Sequence, residues 1–188
     1  MGNSHLKKFC RKTWLIFVDM YLNIEIKARC LHPERIRKYL KDNNADFKGT
    51  DNQCDTYFIV PNGRLKLRQG NIENNLIYYE REDMPGPKSS NFSLVKVPDA
   101  EKLKDALQQA LGIWKIVHKE REIYFIKNVK FHIDKVEGIG SFVEIEAGNL
   151  TMPEMKKEQL QEQCAFYLNA FEIKEEDLMT NSYSDMII

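Results

Sequence analysis

The feature that most constrains the fold is a heptapeptide, residues 23–29, in which polar and aliphatic side chains alternate. Successive side chains of an extended strand point to opposite faces of a sheet. One face would therefore carry Ile24, Ile26 and Ala28, and the other Asn23, Glu25, Lys27 and Arg29. A carboxylate beside two cations is suited to holding a metal ion together with an anion. For this segment alone, an amphipathic strand with a solvated charged face is the plainer interpretation.

The same alternation recurs in later strands, whose charged faces carry Lys66 and Arg68, Arg81, Lys119 and Arg121, Asp134, and Glu144 and Glu146. Either an open sheet leaves these faces in water, or about eight strands close into a barrel with the charges inside and the helices outside. Buried charges must be paired or must coordinate something. The seven basic groups of these faces outnumber the four acidic ones. A closed barrel would therefore favour a polyanion with one or two divalent cations inside.

The chain predicts an α+β domain whose strands are mostly joined as hairpins and are therefore antiparallel. We expect helices at about 33–42, 98–111 and 153–171, and strands at 23–29, 51–60, 64–69, 76–81, 92–97, 113–127, 129–136 and 141–147. The segment 84–90, with two prolines and a glycine, predicts an irregular loop. Residues 172–188 are interpreted as a short helix and a tail.

The length of 188 residues suits one domain, which we place at 20–188. Residues 1–19 have no clear period and are interpreted as an N-terminal extension, either disordered or not native, with Met20 as the start of the domain. A short appended helix is the alternative. The apolar run Trp14–Val18 is too short for a signal peptide or a membrane span.

The chain has 28 basic and 28 acidic residues, so its net charge is zero. This balance argues against a general nucleic-acid binder or a membrane-surface binder. The four cysteines are widely spaced, which resembles neither a zinc site nor a secreted disulfide framework. We therefore expect a cytoplasmic protein. A homodimer is left open.

Five stretches in a fixed order carry a resemblance to a known family: Asn23–Arg29, Gly63–Arg68, Leu76–Arg81 with the Gly86-Pro87-Lys88 loop, Lys119–Tyr124, and Phe131–Glu146. The first resembles the E-x-E-x-K opening strand of the CYTH superfamily, the triphosphate tunnel metalloenzymes. The last resembles the family's Asp strand, glycine turn and Glu-rich strand. Within the superfamily, the chain is most similar to the class IV adenylyl cyclase-like group. The resemblance implies an eight-stranded antiparallel closed β-barrel with helices packed on the outside.

The resemblance also implies roles for individual residues. Metal ligands for Mg²⁺ or Mn²⁺ would be Glu25, Asp134, Glu144 and Glu146. Triphosphate-binding residues would be Lys27, Arg29, Lys66, Arg68, Arg81, Lys119 and Arg121. Catalysis would depend on Lys27, Asp134 and Glu144. The sequence departs from the motif at Asn23, where the family has its first glutamate; an amide oxygen can still bind a hard cation, but without negative charge.

Several functions fit this set of residues. The resemblance favours a metal-dependent cyclase that converts ATP to cyclic AMP and pyrophosphate, with a triphosphatase as the alternative. Because Asn23 weakens the metal motif, a non-catalytic protein that binds nucleotides or polyphosphate is a third hypothesis. An open-sheet RNA-binding module is disfavoured by the zero net charge and by the lack of aromatics among the basic residues. His132 is interpreted either as lining the tunnel or as a structural histidine.

Overall fold

The structure is a computed structural model that describes residues 22–81 and 88–187, without the side chains of residues 81 and 88–92. The predicted N-terminal extension (1–19) and the Gly86-Pro87 part of the loop lie outside the described residues. The strands are β1 (Asn23–Arg29), β2 (Asp46–Phe58), β3 (Arg64–Gln69), β4 (Asn75–Arg81), β5 (Lys88–Lys96), β6 (Ile113–Ile126), β7 (Val129–Val136) and β8 (Gly140–Gly148). The helices are α1 (Pro33–Asp42), α2 (Ala100–Leu111), α3 (Lys157–Ala170) and α4 (Tyr183–Met186), with a 3₁₀ turn at Glu175–Asp177.

The eight strands form a closed antiparallel barrel in the order β1-β5-β4-β3-β2-β6-β7-β8, which confirms the predicted α+β barrel. The closure is uneven around the ring. β1 pairs with β8 along its whole length, from Asn23 opposite Gly148 to Arg29 opposite Phe142. On its other side, β1 pairs with β5 only over Asn23–Glu25. Within the described residues, the β1–β5 seam is therefore the shortest ladder in the barrel wall.

The main hydrophobic core lies outside the barrel, because the aliphatic faces of the strands point outward. The outer faces of β1, β7 and β8 contribute residues such as Ile26, Phe131 and Ile145, all fully or almost fully buried. They pack against Ile36 and Leu40 of α1 and against α3. This burial stabilises the fold through the hydrophobic effect and forces the alternate, charged side chains of the same strands into the barrel.

Helix α2 covers a second part of the barrel wall. Asp99 caps its N-terminus, since its carboxylate accepts a hydrogen bond from the backbone N–H of Lys102. Gly112 follows the helix with a positive φ of 76°, a conformation that favours glycine. Its apolar stripe, which includes Leu103 and Leu107, packs on the outer faces of β2 and β3 around Phe58 and Leu67.

The boundaries of three predicted elements were wrong. Strand β2 begins at Asp46 rather than near 51, because its first residues pair with the distant strand β6 through a bulge between Phe47 and Gly49. Strand β5 begins at Lys88, inside the segment predicted to be irregular, because it pairs with β4 and β1. Helix α3 begins at Lys157, four residues after the predicted start at Pro153.

The C-terminal residues cross one end of the barrel. Leu178 forms a bridge with Ala28 of β1, and the backbone N–H of Met179 donates to the carbonyl of Lys27. Farther along, Asp185 pairs with Arg64 of β3. The C-terminal segment, residues 178–187, therefore spans the mouth from β1 to β3. Among the described residues, no helix is both long and apolar enough to cross a membrane.

Candidate functional site

A charged cavity occupies the inside of the barrel. Its basic lining residues are Lys27, Lys66, Arg68, Lys119, Arg121 and Lys130, and its acidic lining residues are Glu25, Glu73, Glu144 and Glu146. The other lining residues are Asn23, Tyr57, Ile77, Tyr79, Leu94, His132, Ser182 and Tyr183. On β1 the inward positions are every second residue, as the alternation of the heptapeptide predicts.

Three cations converge on one buried carboxylate, Asp55 of β2. Its Oδ2 lies 3.0 Å from Lys66 Nζ and 2.9 Å from Lys119 Nζ. Arg68 adds a bidentate contact, with Nε 2.9 Å from Oδ1 and Nη2 3.1 Å from Oδ2. Asp55 is fully buried, so this anion holds three charged donors together at one wall of the cavity. We call Asp55, Lys66, Arg68 and Lys119 the cationic cluster.

Glu73 extends the cationic cluster along the same wall. Its two oxygens bridge Arg68 Nη1 at 2.9 Å and Lys130 Nζ at 2.7 Å. Asp51 fixes the turn that carries Glu73, because its carboxylate accepts the backbone N–H groups of Ile72 and Glu73. Glu73 is thus held by its backbone as well as by its side chain, and it links the β3 cations to β7.

A second cluster surrounds Glu144 of β8. Lys27 Nζ lies 2.8 Å from its Oε1, and Arg121 Nη2 lies 2.7 Å from its Oε2. His132 Nδ1 lies 3.0 Å from the same Oε2 and 3.3 Å from Oε1 of Glu146. The register explains this grouping, since Glu144 stands directly opposite Lys27 on one side and His132 on the other.

Arg121 is held from behind by Asp134 of β7. Its Nε donates to Asp134 Oδ1 at 2.7 Å, and its Nη2 donates to Oδ2. The hydroxyl of Tyr183, from the C-terminal segment, donates to the same Oδ2 at 2.8 Å. The Tyr183 ring also lies 3.7 Å from Lys27 Nζ, a cation–π contact. Asp134 therefore orients the guanidinium rather than lining the cavity.

The electrostatics keep most of this network ionised. Burial alone would raise the pKa of Glu144, but Arg121 and Lys27 hold it well below its usual range. For Asp55, burial is likewise outweighed by Arg68, Lys119 and Lys66, so its pKa is also well below normal. Lys119 is the exception. Burial, together with the Arg121 charge, lowers the pKa of its ammonium to about 7 despite Asp55.

One group of side chains has the composition of a metal site. Potential ligand atoms of His132, Glu144 and Glu146 all lie within 4.8 Å of one another. The pKa of Glu146 falls to about 2, because His132 and Lys130 outweigh the effect of burial, and the group is therefore an anionic donor. Glu25 faces Glu146 directly across the β1–β8 ladder. Carboxylate oxygens are the preferred ligands of Mg²⁺ and Mn²⁺, so these residues fit the expected ion.

Most residues singled out in the sequence meet in this cavity, namely Glu25, Lys27, Lys66, Arg68, Lys119, Arg121, Glu144 and Glu146. Two do not, because Arg29 is exposed at the end of β1 and Asp134 lies behind Arg121. The side chain of Arg81 lies outside the described residues.

The sequence interpretation missed several functional candidates: Asp55, Glu73, Lys130 and Tyr183. As a result, it overestimated the positive charge of the interior, because Asp55 and Glu73 neutralise cations of β3, β6 and β7. A signal for Asp55 was present. Asp51, Gln53, Asp55 and Tyr57 alternate along β2 as the charged residues do along β1. No comparable local pattern marks Tyr183, since a distant segment delivers it.

The fold of this barrel occurs in known proteins. A family model described as the CYTH domain matches residues 22–183. The chain belongs to the CYTH domain family. The match covers every strand of the barrel and ends at Tyr183, so the CYTH domain includes the start of α4.

Relatives of this CYTH chain match most of its length. A Methanocaldococcus jannaschii protein named as a candidate adenylate cyclase is 26% identical over 185 residues, covering 88% of this chain and 98% of that protein. A solved structure from Pyrococcus horikoshii is 25% identical with a TM-score of 0.75, covering 88% and 99% of the two chains. A Hippeastrum protein, a candidate adenylyl cyclase described as having a dominant triphosphatase activity, shares the fold at 15% identity and a TM-score of 0.59, covering 87% of this chain and 93% of its own.

Proposed function

We propose that this CYTH chain binds a nucleoside triphosphate inside the barrel and acts, with a divalent metal ion, as an adenylyl cyclase-like lyase. The observation that carries the proposal is the convergence of buried cations on one cavity beside a carboxylate and histidine group. The buried cations match the phosphate oxygens of a triphosphate. The carboxylate and histidine group matches its metal ion.

The cationic cluster is suited to phosphate oxygens. Lys66 and Lys119 approach Asp55 from β3 and β6, and Arg68 of β3 adds its planar guanidinium. Asp55 gathers all three donors at one wall of the cavity, and a bound phosphate chain would share them with its carboxylate. Arg121, two residues from Lys119 on β6, and Lys27 of β1 line the same cavity and would also contact the phosphate chain.

An apolar part of the cavity wall favours a nucleotide over inorganic tripolyphosphate. Ile77, Tyr79 and Leu94 line the cavity on β4 and β5. Lys66 Nζ lies 5.8 Å from the ring centroid of Tyr79, which places this surface next to the cationic cluster. A nucleoside joined to a triphosphate bound there would have an aromatic and aliphatic surface within reach.

Glu25, Glu144 and Glu146 would hold the metal ion, with His132 beside them. Bound there, Mg²⁺ or Mn²⁺ neutralises charge on phosphate oxygens and lowers the barrier to displacement at phosphorus. The remaining work falls to the chain itself. Lys27 and Arg121 balance Glu144, and Asp134 with Tyr183 fixes the direction of Arg121. We assign Asp134 this positioning role in place of a direct metal contact.

In the proposed reaction, the ribose 3′-oxygen of ATP attacks the α-phosphorus and loses its proton to solvent. The bond from that phosphorus to the bridging oxygen breaks, and pyrophosphate leaves with cyclic AMP as the other product. The second candidate is a hydrolase, in which water attacks the terminal phosphorus and releases orthophosphate. The fold is compatible with both. Because Asn23 removes one charge from the metal motif, the third candidate is a protein that binds nucleotides or polyphosphate without turnover. We place this activity in the cytoplasm, as the cysteine spacing suggests.

Product analysis tests the proposal. The full chain is incubated with ATP and either Mg²⁺ or Mn²⁺, and the products are separated by ion-exchange chromatography. We expect equal amounts of cyclic AMP and pyrophosphate. Lys66→Met should lower the rate by about a hundredfold, since it removes a charge aimed at the developing phosphate charge. Lys135→Met, an exposed lysine of β7, is the matched control and should react as wild type does.

Orthophosphate and ADP without cyclic AMP would select the hydrolase instead. Protection of the chain by ATP against thermal unfolding without any product would select the binder. Equal activity in Lys66→Met and Lys135→Met would reject the cationic cluster as the phosphate site.

A further inference from the structure

One candidate ligand for a metal ion in this barrel is a nitrogen atom of His132. His132 is 1% exposed, and it lines the same cavity as Glu144 and Glu146. Its Nδ1 contacts both carboxylates, but its Nε2 is buried without a hydrogen-bond partner in the described part of the chain. Both carboxylate contacts therefore fall on Nδ1, and this is the ring nitrogen whose lone pair an ion shared with Glu144 and Glu146 would use.

The spacing of the three side chains suits ligands of one ion. Two ligands about 2.1 Å from a metal and at right angles to each other lie roughly 3 Å apart. His132 Nδ1 stands 3.0 Å from Glu144 Oε2 and 3.3 Å from Glu146 Oε1. These atoms come from neighbouring positions of paired strands, because His132 faces Glu144 across the β7–β8 ladder. The grouping is therefore fixed by backbone register as well as by side-chain rotamers.

From these contacts we infer that His132 is a metal ligand and that it makes the site select Mn²⁺ over Mg²⁺. Mg²⁺ is bound through oxygen and keeps several waters, whereas imidazole is a good ligand for transition ions. Asn23 acts in the same direction, since it leaves β1 with one carboxylate fewer to attract a hard cation. This inference depends on the proposed function only because both use the same metal site.

The first test uses the unmodified protein. Mn²⁺ is bound to the full chain without nucleotide, and pulsed electron paramagnetic resonance measures hyperfine coupling to nitrogen. A histidine ligand predicts a coupling to ¹⁴N that changes to the ¹⁵N pattern when histidine is isotopically labelled. Bound Mn²⁺ without nitrogen coupling would overturn the inference, and so would the absence of any Mn²⁺ binding.

The second test compares affinities. The concentration of free Mn²⁺ is measured from its electron paramagnetic resonance signal at room temperature, and Mg²⁺ is added as a competitor. His132→Asn should weaken Mn²⁺ binding by about tenfold or more, while Mg²⁺ affinity changes by less than about threefold. His118→Asn, an exposed histidine of β6, is the matched control and should leave both affinities unchanged. An equal loss of Mn²⁺ and Mg²⁺ affinity in His132→Asn would contradict selection by nitrogen.

Failure of this inference and failure of the proposed function give different results. Tripolyphosphate binding in the absence of metal is measured as thermal stabilisation of the chain. We expect it to depend on the cationic cluster and not on His132. If Mn²⁺ binds without nitrogen coupling while Lys66→Met still weakens tripolyphosphate binding, the inference alone is overturned. If nitrogen coupling is present but Lys66→Met binds tripolyphosphate as wild type does, the proposed triphosphate site is overturned and the inference stands.

Discussion

Asn23 is the residue at which the chain departs from its family motif, and it lines the cavity on the same strand face as Glu25. An amide oxygen donates less electron density to a cation than a carboxylate and brings no charge. We predict that Asn23→Glu tightens Mn²⁺ binding by about tenfold, measured by calorimetric titration without nucleotide. Asn52→Glu, at an exposed position of β2, is the control. Unchanged affinity in Asn23→Glu would show that position 23 does not contact the ion.

Lys119 makes stability depend on pH in an unusual direction for a lysine. Burial, with Arg121, lowers the pKa of its ammonium from 10.5 to about 7 in the folded chain. Between these pH values the unfolded chain binds a proton that the folded chain lacks, so raising the pH favours folding. The contribution grows by at most about 1.4 kcal/mol per pH unit.

We therefore predict that, from pH 7 to 9, wild type gains more unfolding free energy than Lys119→Met does. The measurement is urea denaturation at each pH, with Lys135→Met as a control for loss of a surface charge. Identical pH slopes in wild type and Lys119→Met would contradict this prediction.

At the scale of elements, β2 matters more to the site than its sequence suggested. Its inner face carries Asp55, whose charge holds Lys66, Arg68 and Lys119 within about one hydrogen-bond length. Removing one partner from such a buried network leaves uncompensated charge, which costs about 3 kcal/mol or more. When Asp55 is neutral, the three cations around β2 repel one another, and Glu73 compensates only Arg68 among them.

We predict that Asp55→Asn lowers the unfolding free energy of the ligand-free protein and enlarges its stabilisation by tripolyphosphate. The anion would then supply the negative charge that Asp55 normally provides. Thermal unfolding with and without tripolyphosphate measures both effects, and Asp46→Asn, exposed on the same strand, is the control. A smaller shift than in wild type would mean that Asp55 organises the cations for the ligand rather than competing with it.

The C-terminal segment is the element whose contribution is least predictable from its own residues. The sequence predicts a short helix and a tail, and the helix is indeed only four residues long. The position of this helix is what matters to the site, because Tyr183 contacts Asp134, Lys27 and Phe142 inside the barrel mouth. Those contacts tie Arg121 and Lys27 to an element outside the sheet.

For the whole molecule, the interior is balanced rather than strongly positive. The six lining cations face four lining carboxylates, with Asp55 and Asp134 buried directly behind. A polyanion alone would add negative charge close to the carboxylate of Glu144. A metal cation alone would add positive charge close to Arg121 and Lys27. Each ligand therefore makes the interior more favourable for the other.

We predict that Mn²⁺ and tripolyphosphate together raise the melting temperature by more than the sum of their separate shifts. The separate and joint shifts are measured by calorimetry at fixed ligand concentrations, because such shifts depend on concentration. Zn-free buffer with Na⁺ in place of Mn²⁺ controls for ionic strength. Simply additive shifts would indicate two sites that do not share the barrel interior.

The sequence by itself determined the faces of the strands. Alternation with period two is local, so the order of residues alone assigns Glu25, Lys27, Arg121 and Glu144 to one side of the barrel. Eight strands with one aliphatic face and one charged face allowed either an open sheet with the charges in water or a closed barrel with the charges inside. The resemblance to the CYTH motifs favoured the barrel.

Only the tertiary structure decided which charges pair. Asp55 meets Lys119, 64 residues away, and Tyr183 meets Asp134, 49 residues away. Such pairings follow from strand register and from the path of the C-terminal segment, which are set by packing of the whole chain rather than by any local pattern. The same physics places the Asp134 carboxylate in an ion pair with the buried guanidinium of Arg121, a partner that no local pattern indicates.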